Sequence, residues 1–186
     1  MTRRKFTRAI VAAVAVLVAG ALAVPAIAGT PPRNVQLKAI GGVSMIPNRS
    51  ITDGMHFNRD IFTIQRGGRV TLIDRTEQPH SWSAVGPRQV PRTVRGVDAC
   101  FGKGPCDELA VAHGAVNPDT GEEQEPTRPL VNVGREGFNK RGDSVLIPPG
   151  GRTSVKITAD AGTTLNMICA IHPWMQNKVK VVRRVG

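Results

Sequence analysis

Short apolar and β-branched runs alternate with clusters of Gly, Pro, Asn and Asp along most of the chain, and helical periodicity is nearly absent. Eight of these runs have the length and composition of strands. They are 35–40, 60–64, 69–73, 81–85, 144–147, 153–157, 163–168 and 178–182. Apolar and polar residues alternate in several of them, as in 155–158, which indicates one buried and one solvated face. Eight short strands separated by turn signals predict an all-β fold, a β-sandwich.

The strand-like pattern stops between residues 86 and 142. This stretch contains six prolines and an acidic run from Glu122 to Glu125. We interpret it as a long loop-rich insertion, because loops of more than about 12 to 15 residues in a compact domain are usually functional or mobile. Within it, only 109–113 is predicted as a short helical turn. The acidic run is either a solvated loop or a docking surface for a basic partner.

The first 28 residues differ from the rest in composition. Four basic residues within positions 3–8 precede an apolar stretch at 9–24, and small residues follow at 26–28. This order is typical of a signal peptide, and the two adjacent arginines also resemble a twin-arginine export signal. An uncleaved anchor is the alternative, although the apolar stretch is shorter than the roughly 20 residues that span a bilayer. We expect residues 1–28 to direct export and 29–186 to form a single domain.

The chain is strongly basic, with a formal net charge of +11. After the leader, the basic residues are scattered singly, which does not indicate a nucleic-acid surface. An acidic redox protein or an anionic membrane surface is a better candidate partner, and much of the charge is explained by a solvated face. The expected location is the periplasm, the cell envelope or the extracellular space.

The three cysteines divide into a pair and a single residue. Cys100 and Cys106 enclose a five-residue segment, 101–105, and such spacing permits a disulfide in an oxidising compartment. A metal clip of two thiolates is the alternative, but no nearby His completes it. Cys169 is then left without a partner. A free thiol outside the cytoplasm is a liability unless something such as a metal ion occupies it.

The residues around Cys169 provide further metal donors. Cys169, His172 and Met175 form the pattern C-x-x-H-x-x-M, and a thiolate, an imidazole and a thioether are three of the four donors of a blue-copper site. His80 directly precedes a strand-like run and is the candidate for the second imidazole. Prolines beside both histidines stiffen their turns. Zinc is disfavoured because its closed sites seldom use a thioether.

The segments 79–82 and 169–175 resemble the two copper-binding segments of the cupredoxins, the plastocyanin and amicyanin family. The spacing C-x-x-H-P-aromatic-M is most similar to the amicyanin type. The resemblance implies a Greek-key sandwich with one type 1 copper ion. It implies the ligands His80 and His172 as equatorial imidazoles, Cys169 as thiolate and Met175 as axial thioether. It covers about 61–85 and 144–182 and does not extend to the insertion.

Two departures from the family pattern change the expectations. Ser81 follows the first histidine, where family members often carry an Asn that ties the two ligand loops together, so the link should be made differently. The chain also has no tyrosine, so a surface Tyr route for electrons is absent. The resemblance therefore implies transfer through an exposed edge of His172, beside an apolar docking patch of Ile171 and Trp174.

These observations predict an exported monomeric electron carrier that exchanges single electrons with redox partner proteins. No independent enzyme is expected, because the chain has four histidines and no His-x-His pair for further copper centres. A protein that buffers or delivers copper is the main alternative, and a β-domain that has lost metal binding is another. His56 is either an auxiliary copper donor or an ordinary surface or core residue. His113, within the insertion, has no assigned role.

Overall fold

A computed structural model describes residues 29–185, so the predicted signal peptide at 1–28 lies outside the described residues. The strands are β1 (Asn34–Ile40), β2 (Val43–Ile46), β3 (Ser50–Asp53), β4 (His56–Phe57), β5 (Ile61–Gln65), β6 (Arg69–Asp74), β7 (His80–Val85), β8 (Leu130–Val131), β9 (Ser144–Ile147), β10 (Arg152–Lys156), β11 (Thr164–Ile168) and β12 (Gln176–Val182). The helices are α1 (Val94–Phe101) and α2 (Pro105–His113). Neither helix has the length and hydrophobicity that crossing a bilayer would require.

The strands form two main sheets and a separate hairpin. The first sheet has the order β10-β6-β1-β4 and the second has the order β5-β12-β11-β7-β9-β8, while β2 pairs only with β3. Two pairs are parallel, β1 with β6 and β5 with β12. The chain crosses repeatedly between the sheets, as in a Greek-key sandwich. The predicted all-β sandwich is confirmed, and all eight predicted strands are present.

The core lies between the two main sheets and is filled by alternate residues of their strands. In β1, Val35, Leu37 and Ala39 are buried while their neighbours are not, as expected for a strand with one solvated face. Trp82 of β7 stacks on Phe138 with ring centroids 5.3 Å apart. Truncation of a buried Trp to Ala typically costs about 3 to 5 kcal/mol of the free energy of unfolding. This core therefore fixes β7 firmly.

Four short strands were not predicted from the sequence, namely β2, β3, β4 and β8. The hairpin of β2 and β3 exposes nearly every residue, including Met45 and Ile51. A strand that buries no face leaves no period-two pattern to detect. The two-residue strands β4 and β8 are too short to show any pattern.

The insertion contains two helices that cover the outer face of the second sheet. Val85 of β7 and Ile168 of β11 point outward and pack with Cys100, Cys106 and Leu109 in a small second core. The helical turn predicted at 109–113 is confirmed as the end of α2, whereas α1 was not predicted. With 8 and 9 residues, both helices are too short to establish a clear helical period.

A disulfide joins the two helices. Cys100 and Cys106 are bonded, with their Cα atoms 5.0 Å apart. The predicted disulfide is confirmed, and the alternative of a two-thiolate metal clip is excluded. Cys169 is the free cysteine of the described chain, and it is buried.

Candidate metal centre

Two adjacent strands of the second sheet bring the predicted donors to one end of the sandwich. His80 is the first residue of β7, and Cys169 directly follows β11, which pairs with β7. A tight turn then carries His172 and Met175 before β12 begins. In that turn the Met175 N–H donates to the His172 carbonyl at 2.8 Å, and the Cys169 N–H donates to the Met175 carbonyl at 2.9 Å. The backbone thus closes on itself around the site.

Three donor atoms converge within this site. The Cys169 Sγ lies 3.8 Å from the Nδ1 atoms of both His80 and His172. The two Nδ1 atoms are 3.2 Å apart. Metal bonds of about 2.0 Å to nitrogen and 2.3 Å to sulfur, in a trigonal plane, require separations of roughly 3.8 Å between N and S and 3.5 Å between the nitrogens. The residues therefore fit one metal ion, and this His-Cys-His arrangement is typical of type 1 copper.

The site is almost fully shielded from water. His80, Cys169 and Met175 are inaccessible to solvent, and His172 is 6% exposed. Met175, the fourth predicted donor, is buried in the same turn, and a thioether is a soft, weak ligand of the kind that copper sites of this type use. The donor set and its burial fit copper better than zinc, whose closed sites rely on thiolate and imidazole.

Hydrogen bonds on the far side of each imidazole fix its tautomer. The Nε2 of His172 lies 2.8 Å from Gln78 Oε1, an acceptor. The Nε2 of His80 lies 2.8 Å from Thr76 Oγ1, and that hydroxyl already donates to the Gln78 carbonyl. Both Nε2 atoms therefore carry the proton, which leaves the Nδ1 lone pairs directed at the shared centre.

A buried carboxylate stands behind His80. Asp74 is 1% exposed, and its Oδ1 lies 3.8 Å from His80 Nε2. Asp74, Thr76 and Gln78 occupy alternate positions leading to the ligand. None of the three was predicted from the sequence, because residues 74–78 are all polar and no spacing distinguishes these three.

Burial favours the neutral form of three histidines. It lowers the pKa of His80 against the opposing effect of Asp74, and it lowers the pKa of His172, with His80 acting in the same direction. Burial also lowers the pKa of His113. We call His80, His113 and His172 the three buried imidazoles. Neutral imidazoles are the form that binds metal.

The surroundings of the Cys169 sulfur have opposing effects on formation of the thiolate. Burial raises the pKa of its thiol, while hydrogen bonds from the Ser81 and His172 N–H groups lower it. These N–H groups lie 3.3 and 3.4 Å from Sγ. Such an environment stabilises a thiolate once a cation balances its charge, so metal binding should release the proton.

Ser81 links the two ligand segments in its own way. Its Oγ accepts a hydrogen bond from the Ala170 N–H at 2.7 Å, and its N–H reaches the sulfur of Cys169. The sequence predicted that Ser81 would link the two segments differently from the Asn that often stands at this position in the family, and the structure shows a link through its hydroxyl oxygen and its N–H.

The surface over the site is apolar and partly open. Ile171 and Trp174 are 39% and 42% exposed, and the Trp174 ring meets the His172 ring edge-on with centroids 5.3 Å apart. Trp174 also lines a cavity of about 600 Å³ with Val94 and Val97 of α1. The predicted exposed edge of His172 is largely covered, because Gln78 occupies its Nε2.

The other two histidines lie apart from the donor cluster. Within residues 29–185 the metal-ligand cluster consists of His80, Cys169 and His172. The exposed His56 contacts the Gly54 carbonyl through Nδ1 at 2.8 Å. The ring of His113 is buried against Ser144.

Comparison with known proteins gives distant structural likenesses. No protein-family model matches the chain. No curated protein matches it. Auracyanin A of Chloroflexus aurantiacus, described as a blue copper protein, is 18% identical over 81% of this chain and 98% of that chain, with a TM-score of 0.43. Auracyanin of Roseiflexus castenholzii is 14% identical over 82% and 98%, with a TM-score of 0.41. A purple cupredoxin of Nitrosopumilus maritimus is 14% identical over 79% and 98%, with a TM-score of 0.39.

Proposed function

We propose that this chain is a cupredoxin that carries single electrons at one type 1 copper ion. His80, His172, Cys169 and Met175 would hold the ion. The observation that carries the proposal is the set of separations among Nδ1, Nδ1 and Sγ, which are 3.2, 3.8 and 3.8 Å at buried positions. These match the spacing that one trigonal metal ion requires.

Copper supplies the one-electron couple, and the protein supplies a fixed set of donors. Two imidazoles and a thiolate with a weak thioether suit neither Cu(I) nor Cu(II) fully, so little has to move when the charge changes. The bonds of Gln78 and Thr76 hold the imidazole planes, and the closed turn after β11 holds His172 and Met175. Burial of the donors excludes water that would otherwise bind Cu(II).

The chain is proposed to act outside the cytoplasm. Residues 1–28 are the proposed export signal, and 29–186 the single cupredoxin domain with 86–142 as its insertion. The confirmed disulfide supports an oxidising compartment. Ile171 and Trp174 are the proposed docking patch for redox partner proteins, because they are the exposed apolar residues next to His172. A type 1 site alone supports electron transfer without substrate turnover.

The burial of the donors favours an electron carrier over a copper-delivery protein. Delivery requires an acceptor protein to replace the donors one at a time, and Cys169 and Met175 offer no accessible surface for such an exchange. Reversible oxidation and reduction without loss of copper to a chelating acceptor is the expected behaviour.

The test is the absorption and paramagnetic-resonance spectrum of the exported, purified and copper-loaded protein. We expect an intense thiolate-to-copper band in the visible range and the small copper hyperfine splitting of a thiolate-bound Cu(II). Cys169→Ser should abolish the band, whereas Ser154→Ala, an exposed change on β10, should leave it intact. A protein that binds one copper ion, is oxidised to Cu(II) and shows no such band would contradict the proposal.

A further inference from the structure

A row of buried polar side chains runs from the insertion to the metal centre and is not explained by ligand binding. Its members are Ser81, Ser83, Ser144 and His113, which are at most 2% exposed. The successive separations are 2.9 Å from Ser81 Oγ to Ser83 Oγ, 2.6 Å to Ser144 Oγ and 2.7 Å to His113 Nε2. We call these four residues the hydroxyl row. Buried hydroxyls need partners, and here each supplies one for the next.

The orientation of the row is fixed at its far end. His113 Nδ1 lies 2.5 Å from the carbonyl oxygen of Arg128. A carbonyl only accepts, so Nδ1 must carry the proton and donate. Burial lowers the pKa of His113, so the ring is neutral and its Nε2 is a bare acceptor. The Ser144 hydroxyl must therefore donate to Nε2.

This constraint passes along the row one hydroxyl at a time. Because Ser144 donates to His113, its oxygen accepts from the Ser83 hydroxyl, and the oxygen of Ser83 then accepts from Ser81. The Ser81 oxygen accepts from the Ala170 N–H at 2.7 Å. All of these bonds run in one direction, and the hydroxyl hydrogen of Ser81 points toward the insertion.

The end of the row lies beside the sulfur. The Ser81 N–H donates to Cys169 Sγ at 3.3 Å, and the Ser81 Oγ accepts from the N–H of Ala170, the residue that follows Cys169. With the row intact, the sulfur receives backbone N–H bonds and the Ser81 hydroxyl hydrogen is committed elsewhere.

We propose that His113 is a positioning residue for the metal centre: through Ser144 and Ser83 it keeps the Ser81 hydroxyl from donating to the Cys169 thiolate. The inference rests on the proposed function, since it assigns the insertion a role in tuning that same copper site. A hydrogen bond added to the thiolate weakens its donation to copper and favours Cu(I), and hydrogen bonding around this sulfur is known to set the potential of such sites. The row thus holds the reduction potential down.

Two variants that interrupt the row should act alike. His113→Leu removes the acceptor at the end, and Ser83→Ala removes the acceptor next to Ser81. Ser83→Ala frees the Ser81 hydroxyl directly. His113→Leu lets the Ser144 hydroxyl donate to Ser83 and Ser83 donate to Ser81, which reverses the row and frees the Ser81 hydroxyl. In each, the equilibrium constant for reduction by a one-electron mediator should rise roughly three- to tenfold, where tenfold corresponds to about 59 mV. The thiolate-to-copper band should shift to shorter wavelength, and Ser154→Ala should change neither quantity.

A measurement without copper tests the direction of the row separately. In the metal-free protein, nitrogen chemical shifts should place the His113 proton on Nδ1 and leave Nε2 bare. Observation of the proton on Nε2 would overturn the inference, whatever the copper spectra show.

The outcomes separate this inference from the proposed function. Loss of the thiolate band in the wild-type protein defeats the proposed function, and the His113 tautomer still decides the direction of the row. An intact band with an unchanged potential in Ser83→Ala and His113→Leu defeats the inference and leaves the proposed function standing. If one variant fails to fold, the other gives the result, because each breaks the same row at a different bond.

Discussion

Replacing the buried carboxylate behind His80 should raise the copper reduction potential. Asp74→Asn keeps the shape of the side chain and the oxygen that accepts the Thr76 N–H at 2.7 Å, but it removes one negative charge. That charge stabilises Cu(II), which carries one more positive charge than Cu(I). Its loss therefore favours the reduced protein.

The size of the effect follows from the distances. The Asp74 Oδ1 lies 3.8 Å from His80 Nε2, and the ring and a metal bond of about 2 Å place the carboxylate roughly 8 Å from the copper. At an effective dielectric constant of about 20, unit charges at that distance interact by about 2 kcal/mol. For a one-electron couple this corresponds to a rise of about 90 mV.

The assay is a redox titration followed at the thiolate-to-copper band. Two control variants distinguish the loss of the Asp74 charge from the loss of a hydrogen bond to His80 and from the loss of a negative charge elsewhere on the protein. Thr76→Val removes the partner of His80 Nε2 at 2.8 Å without changing charge, and should shift the potential much less. Asp160→Asn removes a carboxylate whose side chain is 69% exposed, and solvent should screen it. An unchanged or lowered potential in Asp74→Asn, with the band intact, would refute the electrostatic reasoning.

Three further predictions concern the axial ligand, the disulfide and acid stability. Met175→Leu should retain copper and shift its potential; an unaltered spectrum and potential would show that the thioether is not a ligand. The double variant Cys100→Ala/Cys106→Ala should lose about 2 kcal/mol of the free energy of unfolding in urea, from the entropy of the seven-residue loop, whereas Ser154→Ala should lose little. The metal-free protein should lose stability as the pH falls below about 6.5, because the unfolded chain binds protons that the three buried imidazoles resist. Above that pH the imidazoles are neutral in both the folded and the unfolded chain, so this loss of stability is absent. Urea unfolding at pH 7.5 and 5.5 measures the loss. Copper should reduce it, because the bound ion keeps two of the three imidazoles neutral.

The candidate site was readable from the sequence because its signals are local. Cys169, His172 and Met175 lie within one turn, and a strand pattern ends directly before them. His80 could be assigned to the same site because it begins a strand. In antiparallel neighbours, the first residue of one strand lies beside the last residue of the other. Short apolar and β-branched runs between turn residues likewise predicted eight strands, and several of these runs alternate as a strand with one buried face does.

The contacts that surround the donors could not be read in this way. Asp74 looks like the polar end of a strand, and only the fold reveals that it is buried behind a ligand. The hydroxyl row joins residues 81, 113 and 144 from three separate segments, and their meeting depends on how the insertion folds. The helices of that insertion were hidden because packing on the sheet and a disulfide, rather than a long amphipathic stripe, stabilise them.

The position of the insertion explains why such a row exists. On β7, Trp82 and Ala84 face the main core, while Ser81 and Ser83 face the opposite side of the sheet. Serines at alternate positions are ordinary on a solvated face, where water satisfies their hydroxyls. Here the helices cover that face, so each hydroxyl needs a protein partner or costs about 1 to 3 kcal/mol. His113 provides the terminal acceptor, and its own Nδ1–H is satisfied by a carbonyl of the same insertion. The insertion therefore excludes water from behind Cys169 and also supplies His113, which replaces water as the hydrogen-bond acceptor. For this reason the role of His113 depends on the folding of the insertion.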